Sequence, residues 1–264
     1  MIFDYHVHTA LCGHARGTLD ELVEAAIDKG FAEIGIADHM PLLYDENPDL
    51  AMAREQLPLY VEQVLGLKKR FAGRITVRLG IEADYDAATM EERVVMMEAY
   101  PWDYIIGSVH VLDGWIFDDP RNLDRYRDID LDEFYAEYLY AVGSMVQTGL
   151  YDIVAHADLA KKFDMRASID LRPHYRSLLE KVKAAGMCYE INTAGLRWPV
   201  AEMYPEPEFV RIAAELEVPV TLGSDSHSPE DVGRDFDRAL QLVRSAGYTE
   251  LATFEARKMG SAPI

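Results

Sequence analysis

Only two cysteines, Cys12 and Cys188, occur among the 264 residues. That is too few for a disulfide framework or a thiolate zinc site, and it points to a reducing compartment, the cytoplasm. Long apolar runs are missing too. None reaches the roughly 18 residues that a membrane span needs, so a soluble protein with no membrane partner is expected. The chain opens directly into a strand-like segment, without the basic stretch, apolar core and cleavage site of an export signal, and no export is expected. Positive charge is scarce: 26 Lys and Arg stand against 46 Asp and Glu, a net charge of −20. This disfavours partners held through phosphate-backbone electrostatics, nucleic acid above all. It also makes an anionic small molecule awkward unless ions or a few placed cations reverse the local field. No Gly-x-Gly-x-x-Gly follows a strand, so a dinucleotide site has no support.

What is present is a hydrophobic fraction of 49%, ample for a large core. The length matches one α/β barrel of about 250 residues, here a single domain over residues 1–264. Apolar strand-like runs at Ile2–His8, Ala32–Ala37, Ile75–Ala83, Tyr104–Val109, Asp152–Ala155, Met187–Ile191 and Pro219–Leu222 alternate with helical patterns. Thr18-Leu19-Asp20-Glu21 has the form of a capping box that opens the first helix. Glycines 30, 149, 186 and 247 close helices. Ser228-Pro229 reads as an N-cap with proline at the first helical position, starting the last helix there. Thr249–Ile264 shows no helical stripe and stays unassigned. Seven alternations argue for a parallel sheet with crossover helices, closed into a barrel rather than open, because candidate ligands lie at nearly every strand end. The long acidic excursion from Val111 to Asp130 is expected to cover the site.

Seven of the eight histidines, His6, His8, His14, His39, His110, His156 and His227, fall at or just after the C-terminal end of a strand. In a parallel barrel those ends share one rim. His6 and His8, at i and i+2 on a strand, point to the same face, and imidazole is a common ligand for zinc, iron and manganese. Glu82 and Asp225 add carboxylates at two further strand ends. Each has a duller alternative: a lone histidine as a hydrogen-bonded core residue, Glu82 as the partner of Arg78, Asp225 as a turn residue. Jointly those alternatives require every histidine but His174 to reach the rim by accident, so a metal cluster is the better reading. Cys12, between His8 and His14, reads as a loop thiol beside it.

His6-Val7-His8, His14, Asp38-His39, Glu82, Gly107-Ser108-Val109-His110, His156 and Asp225-Ser226-His227 resemble, in order and across nearly the whole chain, the motifs of the polymerase and histidinol phosphatase (PHP) superfamily. The resemblance implies a distorted (β/α)7 TIM-like barrel with three divalent metal ions (zinc, iron or manganese) at its C-terminal rim. His6, His8, Glu82 and Asp225 would hold one, Glu82, His110 and His156 a second, and His14, His39 and His227 the third. Asn192-Thr193-Ala194-Gly195-Leu196-Arg197, Tyr204-Pro205 and Asp158-Leu159-Ala160-Lys161-Lys162-Phe163 look like the histidinol-phosphatase branch. There Arg197 would bind the substrate phosphate, and Lys161 or Lys162 would add a cation.

That branch implies a phosphomonoesterase acting on L-histidinol phosphate, with water made acidic between two metals attacking phosphorus in line. The leaving-group acid stays open between His227 and a metal-bound water. Tyr44, Asp113, Asp118 and Asp119 are the candidates for recognising imidazole and ammonium. The main alternative is the same chemistry on another small phosphate ester, such as a nucleotide or sugar phosphate. An amidohydrolase-type enzyme shares the first His-x-His but is disfavoured by Glu82 and Asp225-x-His227. A non-catalytic module predicts eroded ligands or a basic surface, and neither is seen. Oligomeric state is not legible.

Overall fold

The computed structural model describes residues 2–43 and 47–264. β1 (Phe3–Asp4) precedes α1 (Leu19–Asp28), and β2 (Glu33–Ile36) precedes α2 (Leu57–Arg70). A broken strand, β3 (Thr76–Leu79) and β4 (Glu82–Asp84), leads to α3 (Met90–Glu98). β5 (Ile106–Ser108) runs through a small hairpin, β6 (Val111–Leu112) and β7 (Trp115–Ile116), to α4 (Leu131–Gln147). β8 (Ile153–Val154), α5 (Arg172–Ala184), β9 (Cys188–Asn192), α6 (Pro207–Glu215), β10 (Val220–Gly223) and α7 (Phe236–Ser245) complete the alternation. The antiparallel pair β11 (Glu250–Glu255) and β12 (Lys258–Pro263) follows.

All barrel pairings are parallel, in the orders β1-β2-β3 and β4-β5-β8-β9-β10. Two bridges join these sheets, His39 to Glu82 on one side and Val7 to Ser226 on the other. The second seam is held by Tyr5 N–H donating to Leu222 O at 3.2 Å and His8 N–H to Ser226 O at 2.9 Å. The result is a closed, distorted (β/α)7 barrel, each strand position followed by its helix. The capping box forms as read, with Glu21 N–H donating to Thr18 Oγ1 at 3.2 Å and Thr18 N–H to Glu21 Oε2 at 2.7 Å.

The break between β3 and β4 has a steric origin. Tyr104 is fully buried and crosses the barrel to donate to the Tyr5 carbonyl at 2.7 Å. A Cβ at Gly80 would sit 2.3 Å from Tyr104 Cζ, and one at Gly35 2.0 Å from its Oη. Both strands need glycine where the ring passes. Past Gly80 the strand stays bonded to the extension of β2, with Glu82 N–H donating to Asp38 O at 2.9 Å, pairs with β5 on its other side and delivers Glu82 to the rim. Arg78, free of Glu82, pairs instead with Glu33 at 2.8 Å.

Two elements differ from the sequence reading. α7 begins at Phe236 rather than at Ser228; residues Pro229–Asp231 form one 3-10 turn, after which Gly233 and Asp235 adopt φ of 60° and 61°. Gly233 N–H donates to Asp4 Oδ2 at 2.8 Å, a bond that fixes this non-helical loop. The unassigned tail is the hairpin β11–β12, whose turn residues Ala256 and Arg257 have φ of 48° and 63° without the Asn or Gly that normally marks such a turn. It seals the end of the barrel opposite the histidines: Phe254 packs on Tyr5 at 6.1 Å, and Arg257 pairs with Asp152 ahead of β8. No described helix is long and apolar enough to cross a membrane.

Gly80→Ala is expected to destabilise the fold by about 1–3 kcal/mol through overpacking against Tyr104. Urea denaturation measures this; an unchanged midpoint would mean that the ring yields freely.

Candidate active site

Alternation along β1 and its extension turns His6 and His8 to one face, where both are fully buried. Asp225 Oδ1 lies 3.1 Å from His8 Nε2 and 4.0 Å from His6 Nε2. Glu82, 1% exposed, faces two ways. Its Oε2 is 3.3 Å from His6 Nε2, 3.6 Å from His8 Nε2 and 2.8 Å from His39 Nδ1. Its Oε1 is 3.2 Å from His156 Nε2 and 3.8 Å from His110 Nε2. His14 stacks on His227 at 4.6 Å and lies 5.6 Å from His39, ring to ring. All nine residues singled out as ligands thus gather at one rim. In the third grouping His227 shares one close triad with His8 and His39 and another with Cys12 and His14, which makes Cys12 a geometric neighbour of the cluster.

On five of the seven histidines the nitrogen facing away from the cluster is occupied, whereas Nδ1 of His156 is buried without a partner. His6 Nδ1 contacts both Glu190 oxygens at 3.0 Å, His8 Nδ1 contacts Asp38 at 3.4 Å, and His110 Nδ1 contacts Asp84 at 2.8 Å. Backbone carbonyls do the same for His14 (Cys12 O, 2.9 Å) and His227 (Asp225 O, 3.1 Å). Each such bond fixes a tautomer and aims the Nε2 lone pair inward, the arrangement typical of metal-ligating histidine. Glu190 also accepts from His156 N–H at 3.0 Å and Asn192 Nδ2 at 2.7 Å. Asp38 belongs to the Asp38-His39 motif but braces His8 rather than His39; Glu190 and Asp84 lie outside the motifs read from the sequence. Their signal is the same strand alternation, Glu190 with Asn192 and Glu82 with Asp84.

A divalent cation fits this set. Nε2 of His6, His8 and His227 and Oε2 of Glu82 are buried without hydrogen-bond partners, a costly state for converging polar atoms that a cation relieves. Burial pushes the Glu82 carboxyl up, but the imidazoles of His39 and His6 outweigh it and hold the group well below the usual carboxylate range. Asp225 is lowered in the same way, against burial, by His6 and His8. Burial and repulsion from His8 push the His227 imidazole well below its ordinary value, keeping it neutral as a ligand must be. Imidazole and carboxylate together suit zinc, iron or manganese.

The cluster floors a cavity of about 490 Å³. The excursion after β5 covers it as expected, through Ile116, Asp118, Asp119 and Arg121. Leu50, Lys162, Arg197, Trp198 and Tyr204 complete much of the wall. Arg197 is anchored through Nη2 to Ser224 O at 2.7 Å and Asp225 O at 3.2 Å, leaving Nη1 buried and unpartnered. Lys161 requires a correction: it faces away, its Nζ bound to Glu202 at 2.8 Å, Met203 O at 2.8 Å and Asp158 at 2.9 Å. The buried Asp158 carboxylate needs that counter-ion. Lys162 reaches the cavity instead, 3.0 Å from Asp118 and 4.1 Å above the Trp198 ring. Asp118 and Asp119 line the wall, whereas Asp113 sits exposed at a hairpin tip. Tyr44 lies outside the described residues.

A closed parallel barrel that gathers seven imidazoles and two carboxylates over a substrate-sized cavity has the architecture of a metal-dependent hydrolase. The PHP domain model matches residues 4–194. A probable histidinol-phosphatase of Deinococcus radiodurans is 42% identical over 257 residues, 97% of either chain. The histidinol-phosphatase of Bacillus subtilis is 32% identical over 270 residues, 90% of this chain and 98% of that one. A crystal structure of histidinol phosphate phosphatase from Lactococcus lactis, complexed with zinc, L-histidinol and phosphate, matches with a TM-score of 0.86 at 26% identity over 98% of each chain. The chain belongs to the PHP family, in its histidinol-phosphatase branch.

Glu190→Gln is expected to lower metal affinity roughly 10- to 100-fold, the usual effect of removing a carboxylate behind a ligating histidine. Competition against a chelating dye reads this directly; unchanged affinity would reduce Glu190 to a packing residue.

Proposed function

We propose that the protein is a metal-dependent phosphomonoesterase that converts L-histidinol phosphate and water to L-histidinol and phosphate, a step of histidine biosynthesis. The observation that carries this reading is Glu82 between two imidazole groups, beside an arginine with a free buried nitrogen. The bound ligands of the Lactococcus lactis relative support the same substrate. The free, buried Cys12 and Cys188 support a cytoplasmic setting.

Three ions are proposed: one at His6, His8, Asp225 and Glu82, a second at Glu82, His110 and His156, a third at His14, His39 and His227. Divalent ions held there supply a Lewis acid for phosphoryl oxygens and bring the pKa of water to near neutrality. The protein's own groups do the rest. Arg197, fixed by two backbone carbonyls, holds its guanidinium ready for the phosphoryl oxygens without reorganising. Asp118, paired with Lys162 at 3.0 Å, and Asp119, paired with Arg121 at 2.6 Å, line the excursion side of the cavity, where an ammonium or imidazolium group would share them with those cations. His227, kept neutral, serves better as a ligand than as the leaving-group acid.

Phosphate release from L-histidinol phosphate and from a panel of nucleotide and sugar phosphates tests the assignment. Wild type should prefer L-histidinol phosphate by orders of magnitude. Arg197→Ala should lower kcat/KM by roughly 10- to 100-fold, as expected for losing a hydrogen bond to a charged group. Even hydrolysis across the panel would shift the assignment to another small phosphate ester.

A further inference from the structure

Tyr204 is a second donor on the segment that carries Arg197, and the sequence reading gave it no role. Its side chain is 1% exposed and lines the cavity, yet its hydroxyl has no hydrogen-bond partner. The residue is pinned in place. Asn192 N–H donates to Tyr204 O at 2.6 Å and Tyr204 N–H returns to Asn192 O at 2.9 Å. Asn192 in turn donates through Nδ2 to Glu190 at 2.7 Å and Asp225 at 3.3 Å, so the tyrosine is tied to the carboxylates of the centre. Its ring stands edge-on to His156 at 6.3 Å and lies against Gly195, where a Cβ would come within 3.1 Å of Cζ.

A phenylalanine would fill this space equally well, and an unpartnered hydroxyl in a buried position costs stability. A tyrosine is therefore explained by an acceptor that arrives with the substrate. Burial pushes the phenol up, so it keeps its proton and acts as a donor. In the same cavity wall, Arg197 Nη1 is another buried donor without a partner.

We propose that the Tyr204 hydroxyl donates a hydrogen bond to the phosphoryl group of the substrate, forming with Arg197 a two-donor clamp beside the metal centre. The inference rests on the phosphatase reading. It makes Tyr204 a substrate-contacting residue whose contact is with the phosphate half, not with the alcohol.

Tyr204→Phe in the metal-loaded enzyme is the test, read by metal content, competitive inhibition by inorganic phosphate and by L-histidinol, and thermal midpoint. Metal content should hold, the midpoint should stay or rise, and both kcat/KM and phosphate affinity should fall roughly 10- to 100-fold. Phosphate affinity unchanged overturns the proposal, as does a loss confined to L-histidinol, which would move the contact to the alcohol half. Loss of metal from the variant also overturns it, by making the residue structural. If wild type fails to hydrolyse L-histidinol phosphate but the variant still binds inorganic phosphate more weakly, the substrate assignment falls while the Tyr204 contact stands.

Discussion

The Glu82 carboxylate, buried among imidazoles, is the constraint on which the structure turns. Its Oε2 serves the His6, His8 and His39 side and its Oε1 the His110 and His156 side, so displacing one residue dismantles both groups. Its placement depends on steric events far from the rim. Tyr104 crosses the barrel, Gly35 and Gly80 leave room for it, and the strand resumes past Gly80, still bonded to the extension of β2, to set Glu82 beside His39. The aromatic end of the barrel thereby sets the geometry of its polar end.

Electrostatics explains how an acidic protein can hold an anionic substrate. Three dications would bring about six positive charges. Glu82 and Asp225 inside the cluster, and Asp38, Asp84 and Glu190 behind it, supply five carboxylates. The centre then lies near neutrality rather than strongly positive. Attraction of phosphate falls to well-placed donors, with Arg197 foremost and Lys162 partly engaged by Asp118.

Much of this was legible in the chain, because the residues that converge sit at strand ends and the parallel barrel maps strand ends onto one rim. His6, His8, Glu82 and Asp225 could be read this way without any tertiary information. What escaped the reading is set by packing or by non-local pairing. Lys161 and Lys162 are equivalent on paper, and the pull of Glu202 and the Met203 carbonyl, some forty residues on, together with the buried Asp158, decides which turns into the protein and which reaches the cavity. The start of α7 is displaced by a hydrogen bond to Asp4, more than two hundred residues away. The last hairpin turns on Ala256 and Arg257, whose left-handed backbone has no compositional mark. Glu190 carried an alternation signal, but a single carboxylate inside an apolar strand gains meaning only when His6 is seen against it.

The central claim is that this buried set holds the cations on which hydrolysis depends. Titrating chelator-stripped protein with zinc, iron or manganese, while following phosphate release from L-histidinol phosphate and bound metal by elemental analysis, tests it most directly. Activity should be absent without metal, rise as the sites joined by Glu82 fill, and saturate near three ions per chain. Full activity in rigorously metal-free protein, or saturation near a single ion, would contradict the account.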